Sequence, residues 1–254
     1  MNTISKLALL FISVFIISCS DDDTSAPVIP DGDYFDGTII LNEGISAGAG
    51  ASVSFLNSDL QEITNTIFAS ANDGEQLGVF LESIFFDDER AYIISNGSNI
   101  ISVVNRFTFE LIGTVNSGLS VPRYGAVFNG KAYVTNLDGF DDGLDDYIAV
   151  IDLESLEVEE TVVIGRFTER ILELNGSLYI QGGVFGDGNE VVKFDPATNS
   201  VIETIEVGPS INSLEAFNGQ LYTLDSEGVK VINPNSLSIE AELDQPESLE
   251  GSLN

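Results

Sequence analysis

A chain of 254 residues, 43% hydrophobic and 9% aromatic, can build a sizeable core as one large domain or two small ones, and is no disordered acidic tail. Its 41 Asp and Glu against 9 Lys and Arg give a formal net charge of −32, a field that repels phosphate backbones and excludes nucleic acid as a partner. With no His, one Cys, one Met and no Trp, His-dependent triads, His-based zinc or haem sites, CxxC redox chemistry and internal disulfides are excluded. Carboxylate, hydroxyl and amide chemistry remain, or simple binding.

Lys6 precedes an apolar stretch from Leu7 to Ile17, the length of a signal-peptide core and well short of the ~20 residues of a membrane-spanning helix. It ends in Ile16-Ile17-Ser18-Cys19, which resembles the lipobox at which bacterial lipoproteins are cleaved and acylated. Residues 1–18 are therefore expected to be a signal peptide and Cys19 the lipidated first residue of the mature chain; an ordinary signal peptide with an incidental Cys is the alternative. Ser20-Asp21-Asp22-Asp23 resembles an acidic surface-export signal, or is a solvated spacer. Residues 19–33, with Pro27, Pro30 and Gly32, read as a flexible tether with a reach of about 20 Å.

From residue 34 to 254 the chain repeats itself. Tyr92, Tyr133, Tyr179 and Tyr222 recur at spacings of 41, 46 and 43, three of them just after Asn129-Gly130, Asn175-Gly176 or Asn218-Gly219. Asn-Gly between two β-prone runs is a tight hairpin signal, because a type I′ turn needs positive φ at both central residues. A second mark follows in each unit, where a strand ends in Asn57, Asn105, Asp152, Asp195 or Asn233. No stretch after the signal peptide shows helical periodicity. Four short strands per unit of about 40–47 residues are the pattern of an all-β propeller with four-stranded antiparallel blades.

The complete units span Ser83–Val115, Tyr124–Val162, Arg170–Val207 and Ser213–Leu243, after three strands from about Phe35 to Phe68 that lack an inner partner. Gln245-Pro246-Glu247-Ser248-Leu249 echoes Gly208-Pro209-Ser210-Ile211-Asn212, as if a further blade were opening. The expectation is a ring of about five blades, incomplete at the C-terminus, because open sheet edges are costly; an intact short ring is the alternative.

Strand parity puts the short turns on one face and the long segments on the other: Glu43–Gly50, Asn96–Asn99, Asn136–Tyr147, Gly182–Asn189 and Asp225–Gly228. Long loops on a rigid scaffold concentrate binding residues. Asn42, Asn96, Asn136 and Asp225 end the second strands there, either facing a ligand with Glu43 or capping strand ends. Arg123 and Arg170 start innermost strands and Arg166 lies just before one. These arginines either fork to a ligand carboxylate or phosphate, or neutralise Glu82, Glu169 or Asp138. Tyr124, Phe140, Phe167 and Phe185 add aromatic surface at the same mouth, or pack between blades.

Asp138, Asp141, Asp142 and Asp145 could supply oxygens to Ca²⁺, although no loop-closing Glu gives an EF-hand; a solvated loop is the other reading. Gly44–Gly50 is no phosphate loop, since no Gly-Lys-Ser/Thr or helix follows. No nucleophile–base set can be assembled without His, so no catalysis and no resident cofactor are expected.

Ile40-Leu41-Asn42-Glu43-Gly44, Pro122-Arg123-Tyr124 ahead of Asn129 to Asn136, and Ala149-Val150-Ile151-Asp152 together resemble the YncE-like β-propeller lipoproteins of Gram-negative outer membranes, over Asp33 to Asn254. That family is similar to the seven-bladed quinoprotein-like propellers. Some of its surface members bind cobalamin and hand it to an outer-membrane TonB-dependent transporter. The resemblance implies a nutrient-capture role, with Arg123 and Tyr124 as rim positions. The expected function is a lipid-anchored, surface-exposed propeller that binds a small molecule such as a corrinoid and passes it to such a transporter. A cell-surface protein-interaction scaffold is the alternative, and an enzyme using channel carboxylates a third.

Overall fold

Asn129-Gly130, Asn175-Gly176 and Asn218-Gly219 adopt φ of 49° and 76°, 54° and 81°, and 50° and 77°, the positive pairs that a type I′ hairpin requires. The computed structural model describes residues 32–45, 50–140 and 142–244. In it these turns join the first two strands of three sheets. The strands are β1 (Gly37–Asn42), β2 (Ser52–Asn57), β3 (Ile63–Thr64), β4 (Leu81–Phe86), β5 (Arg90–Ser95), β6 (Ile100–Asn105), β7 (Leu111–Val115), β8 (Pro122–Phe128), β9 (Lys131–Asn136), β10 (Tyr147–Asp152), β11 (Glu157–Val163), β12 (Ile171–Leu174), β13 (Ser177–Val184), β14 (Asp187–Asp195), β15 (Ser200–Glu206), β16 (Ser213–Phe217), β17 (Gln220–Leu224), β18 (Gly228–Asn233) and β19 (Ser238–Asp244).

They form five antiparallel meanders in chain order, β1–β3, β4–β7, β8–β11, β12–β15 and β16–β19. This is an all-β propeller with four four-stranded blades after a three-stranded one. The innermost strands β4, β8, β12 and β16 pack successively on one another. In the first blade β1 occupies the second position, and among the described residues no inner strand pairs with it.

The Asn and Asp that end the third strands build the turns behind them. The side-chain oxygens of Asn105, Asp152, Asp195 and Asn233 accept from backbone N–H groups two or three residues on, at 2.7–3.3 Å. These Asx turns replace backbone turns with a side chain and so fix the step to the fourth strand. Asp87 does the same in the hairpin without Asn-Gly, accepting from the amides of Glu89 and Arg90.

One expectation is corrected here. A helix, α1 (Ile67–Ala71), follows β3, and a 3-10 turn spans Asn96–Ser98. The third strand of the first blade therefore ends at Thr64 rather than near Phe68. Five residues are too few for a 3.6-residue period to register, and so short a helix is held by packing rather than propensity. Ile67 and Phe68 are buried in the first inter-blade core, and Asn72 donates to the carbonyls of Phe68 and Phe109 at 2.8 and 2.9 Å. Among the described residues no helix is long and apolar enough to cross a membrane.

The core lies between blades. Tyr92 and Ile94 meet Ala132 and Val134; Tyr133 and Val150 meet Leu178 and Phe194; Tyr179 and Val191 meet Leu221 and Ile232. Successive strand residues face opposite sides, so each blade serves two such cores. The repeated tyrosines carry a polar link across the same boundaries. Tyr133 donates to the Pro196 carbonyl at 3.1 Å, Tyr179 donates to that of Pro234 at 2.8 Å, and Arg90 donates to that of Leu153 at 2.6 Å.

Candidate functional site

Two β-bulges shape the inner wall. The β4–β5 register slips between Leu81 and Ser83, and the β8–β9 register slips between Pro122 and Gly125. A bulge re-aims the residues it leaves unpaired, here Glu82, Arg123 and Tyr124. Gly125 closes the second bulge where a Cβ would fall 2.3 Å from the Phe85 ring, so only glycine lets β8 come this close. Ser83 donates to the Arg123 carbonyl at 2.6 Å, and Thr135 donates to that of Glu169 at 2.6 Å. These bonds hold the backbone behind the charged side chains.

Arg123, 7% exposed, uses its whole fork on protein. Nε and Nη2 donate to the two carboxylate oxygens of Glu169 at 2.9 and 2.7 Å, and Nη1 donates to Glu82 at 2.5 Å. A bidentate guanidinium–carboxylate pair is the strong form of this interaction. Burial alone would lower the pKa of Arg123, and Glu169 and Glu82 hold it above its ordinary value. Burial pushes the Glu82 carboxyl up to about 7; Glu169 and Glu43 push the same way, and Arg123 and Arg170 oppose them. The pattern continues along the wall, where Arg170 lies 4.9 Å from the Tyr124 ring and 3.5 Å from Glu215.

An aromatic ledge stands over this wall. Phe140, on the β9–β10 loop, and Phe185, in the β13–β14 turn of the neighbouring blade, are 68% and 70% exposed, with ring centroids 6.1 Å apart. The long segment expected over Gly182–Asn189 is corrected here, since β13 runs to Val184 and β14 starts at Asp187, leaving a two-residue turn. The Arg123 guanidinium lies 5.4 Å from the Phe185 ring. Beneath the ledge is a cavity of about 50 Å³ lined by Leu137, Phe140, Phe167, Val184, Phe185 and Asp187. Phe185 and Gly186 have φ of 54° and 89° and connect Val184 to Asp187, the same type I′ turn that Asn-Gly makes elsewhere in the chain.

The structure thus brings Arg123, Tyr124, Phe140, Phe167 and Phe185 into one neighbourhood, with Glu43 at its edge through its charge on Glu82. The other candidates are spread over separate strand ends. Asn42 donates to Ser52 and Ser54. Asn136 is fully buried, accepting from the Ser120 amide and donating to the Val134 carbonyl. Asp225 accepts from the amides of Glu227 and Gly228, while its Oδ2, like Asn96 Nδ2, is buried with no hydrogen-bond partner among the described residues. Arg166 turns to the outer strands, donating to Glu190 at 2.7 Å and Thr204 at 3.3 Å.

Of the calcium candidates, Asp141 lies outside the described residues, Asp138 and Asp145 are exposed, and Asp142 accepts from the Leu144 amide. Among the described residues no three carboxylates gather as a metal site would need. Cys19 also lies outside the described residues.

Sequence reasoning named Glu82 and Glu169 as acids near Arg123, but not the Arg170–Glu215 contact or the Phe140–Phe185 pair. The wall had a signal, since these charges stand at or just before the first residues of successive inner strands. The ring pair was legible only as two aromatics at the same mouth; their contact depends on the tight Phe185-Gly186 turn, which no Asn announces.

No curated protein matches the sequence. Hydrazine synthase of Kuenenia stuttgartiensis is similar over 68% of this chain and 52% of its own, at 17% identity and a TM-score of 0.57. The WD40 domain of Neurospora crassa Pan2 is similar over 65% of this chain and 52% of its own, at 14% identity and 0.54. The dihydro-heme d1 dehydrogenase NirN, in complex with DHE, is similar over 85% of this chain and 45% of its own, at 13% identity and 0.57. At such identities the likeness shows the propeller fold alone, and a fold by itself does not fix a function. The chain spans about half the length of these structures. The match that reaches across all five blades is to a family model covering residues 36–252, and by it the chain belongs to DUF5074, a domain of unknown function.

Proposed function

We propose that this protein is a lipid-anchored, surface-exposed propeller of the YncE-like kind that binds a small-molecule nutrient on its long-loop face. It passes that nutrient to a TonB-dependent outer-membrane transporter, a corrinoid such as cobalamin being the first candidate. It acts by binding, without catalysis. The observation that carries the reading is Phe185. Three I′ turns of this chain use Asn at the first central position, where Asn tolerates positive φ, and the fourth puts a 70% exposed phenylalanine there. A bulky residue in the left-handed region costs of order 1–3 kcal/mol; Phe109 and Leu237 also adopt it but are buried in the core, whereas the Phe185 ring is exposed. With Phe140 it forms an exposed apolar surface on a rigid scaffold, the kind of patch that marks an interaction site.

Titration of the protein with cobalamin, read by its visible absorption, tests the corrinoid assignment; an unchanged spectrum at micromolar ligand removes it. Replacing Cys19 by Ser is expected to abolish acylation and release the protein from the membrane fraction. Surface exposure predicts digestion by protease added to whole cells. The rival reading, a scaffold for another protein, draws on Phe217 and Leu243, 65% and 58% exposed in the last blade. A protein partner recovered without any small ligand would favour it.

A further inference from the structure

The charges around the ledge restrict what can sit on it. Glu43, Glu82, Glu169 and Glu215 face the inner wall against two arginines, Arg123 and Arg170. Every nitrogen of the Arg123 fork already donates to a carboxylate, so a ligand carboxylate or phosphate would compete with Glu82 and Glu169 for a guanidinium that is itself 7% exposed. Arg166 donates through Nη1 to Glu190 and Thr204 on the outer strands. The cavity under the rings adds another acid, Asp187. Phenylalanine faces carry negative potential and attract cations, and an acidic surround strengthens that preference.

We infer that the Phe140–Phe185 ledge takes an organic cation with a flat apolar face, its ring lying on the two phenylalanines and its charged nitrogen directed to Glu82 at the inner wall. This rests on the reading of the ledge as a ligand site. Glu82 suits the role because a single bond ties it to Arg123, whereas Glu169 is held by two. At 20% side-chain exposure it is also the more accessible of the two carboxylates.

The test uses two probes of one ring and opposite charge, 2-naphthylmethylammonium and 2-naphthoate, titrated by naphthalene fluorescence into the full chain and its Phe185→Asn and Glu82→Gln variants. The ammonium is expected to bind the wild type about tenfold more tightly than the carboxylate at physiological ionic strength. Its binding should weaken severalfold in Phe185→Asn, whose turn Asn suits, and its advantage over the carboxylate should shrink in Glu82→Gln. Naphthoate binding as tightly as the ammonium, and lost in Phe185→Asn, would overturn the charge class while leaving the ledge a ligand site. Ammonium binding indifferent to Phe185→Asn is general attraction to an acidic surface and overturns the inference. Failure of both probes at millimolar concentration overturns the inference and the ledge site together.

Discussion

The Tyr179 hydroxyl donates to the Pro234 carbonyl at 2.8 Å, from the second strand of one blade to the turn between the third and fourth strands of the next. Tyr133 and Pro196 make the same link one blade earlier. The repeated tyrosine is thus a ring for the inter-blade core and a hydroxyl for the adjoining turn. Among the described residues the hydroxyl of Tyr222, next in the series, reaches only Gln220 of its own strand, at 3.5 Å. Tyr179→Phe is expected to cost about 1 kcal/mol, the net worth of one hydrogen bond, because Lys193 still serves the Pro234 carbonyl at 2.9 Å. Tyr222→Phe should stay within about 0.5 kcal/mol of wild type. Urea denaturation of the two variants checks the contrast.

Arg123 stands between two carboxylates, so its removal leaves charge behind. Arg123→Ala is expected to destabilise by about 3–5 kcal/mol, since Glu169 becomes a buried carboxylate without its fork partner. Adding Glu169→Gln should recover part of that loss. Arg123→Lys should not rescue fully, because an ammonium cannot bond both oxygens in the planar geometry seen here. A double-mutant cycle by thermal or urea unfolding measures each term, and additivity of Arg123→Ala with Glu169→Gln would contradict the pairing.

The Glu82 carboxyl, raised from 4.5 to about 7 by burial, makes stability depend on pH in a definite direction. The folded state holds this proton more tightly than the unfolded chain between those values. The contribution is therefore fully present below about 4.5, falls as pH rises towards 7, and is flat above. Asp87 works oppositely: against the effect of burial, hydrogen bonds from Tyr92, Glu89 and Arg90 hold it below 3.8, so its contribution is lost only in more acid solution. Glu82→Gln should remove the Glu82 slope. The variant's Tm relative to wild type is expected to climb from pH 4.5 to 7 and then level off, in a series at constant ionic strength.

The blades were legible in the sequence because their signals are local. Asn218-Gly219 makes its turn and Asn105 its Asx turn from residues within a few positions, so spacing alone locates them. The charged wall was half legible. Arg123 stood out by the scarcity of cations, yet its commitment to Glu169 depends on a bulge that no local pattern announces. Helix α1 escaped because one turn carries no periodicity. Arg166 was placed at the mouth by its position in the chain, but the length of its side chain lets it reach Glu190 on an outer strand instead.

Phe185 separates stability from function at one position. Its φ of 54° is one that Asn accepts readily and a bulky ring does not. Phe185→Asn forgoes the Arg123–ring contact, worth about 0.5–1 kcal/mol at an exposed site, and relieves backbone strain of at least that order. The expected outcome is a Tm equal to or above that of wild type, together with loss of ligand from the ledge. Phe140→Ala, at a ring 68% exposed, should likewise leave Tm within the range of ordinary surface substitutions. A sharp fall in Tm for Phe185→Asn would mean that the ring is there to hold the blades, and would remove the reason for assigning it to a ligand.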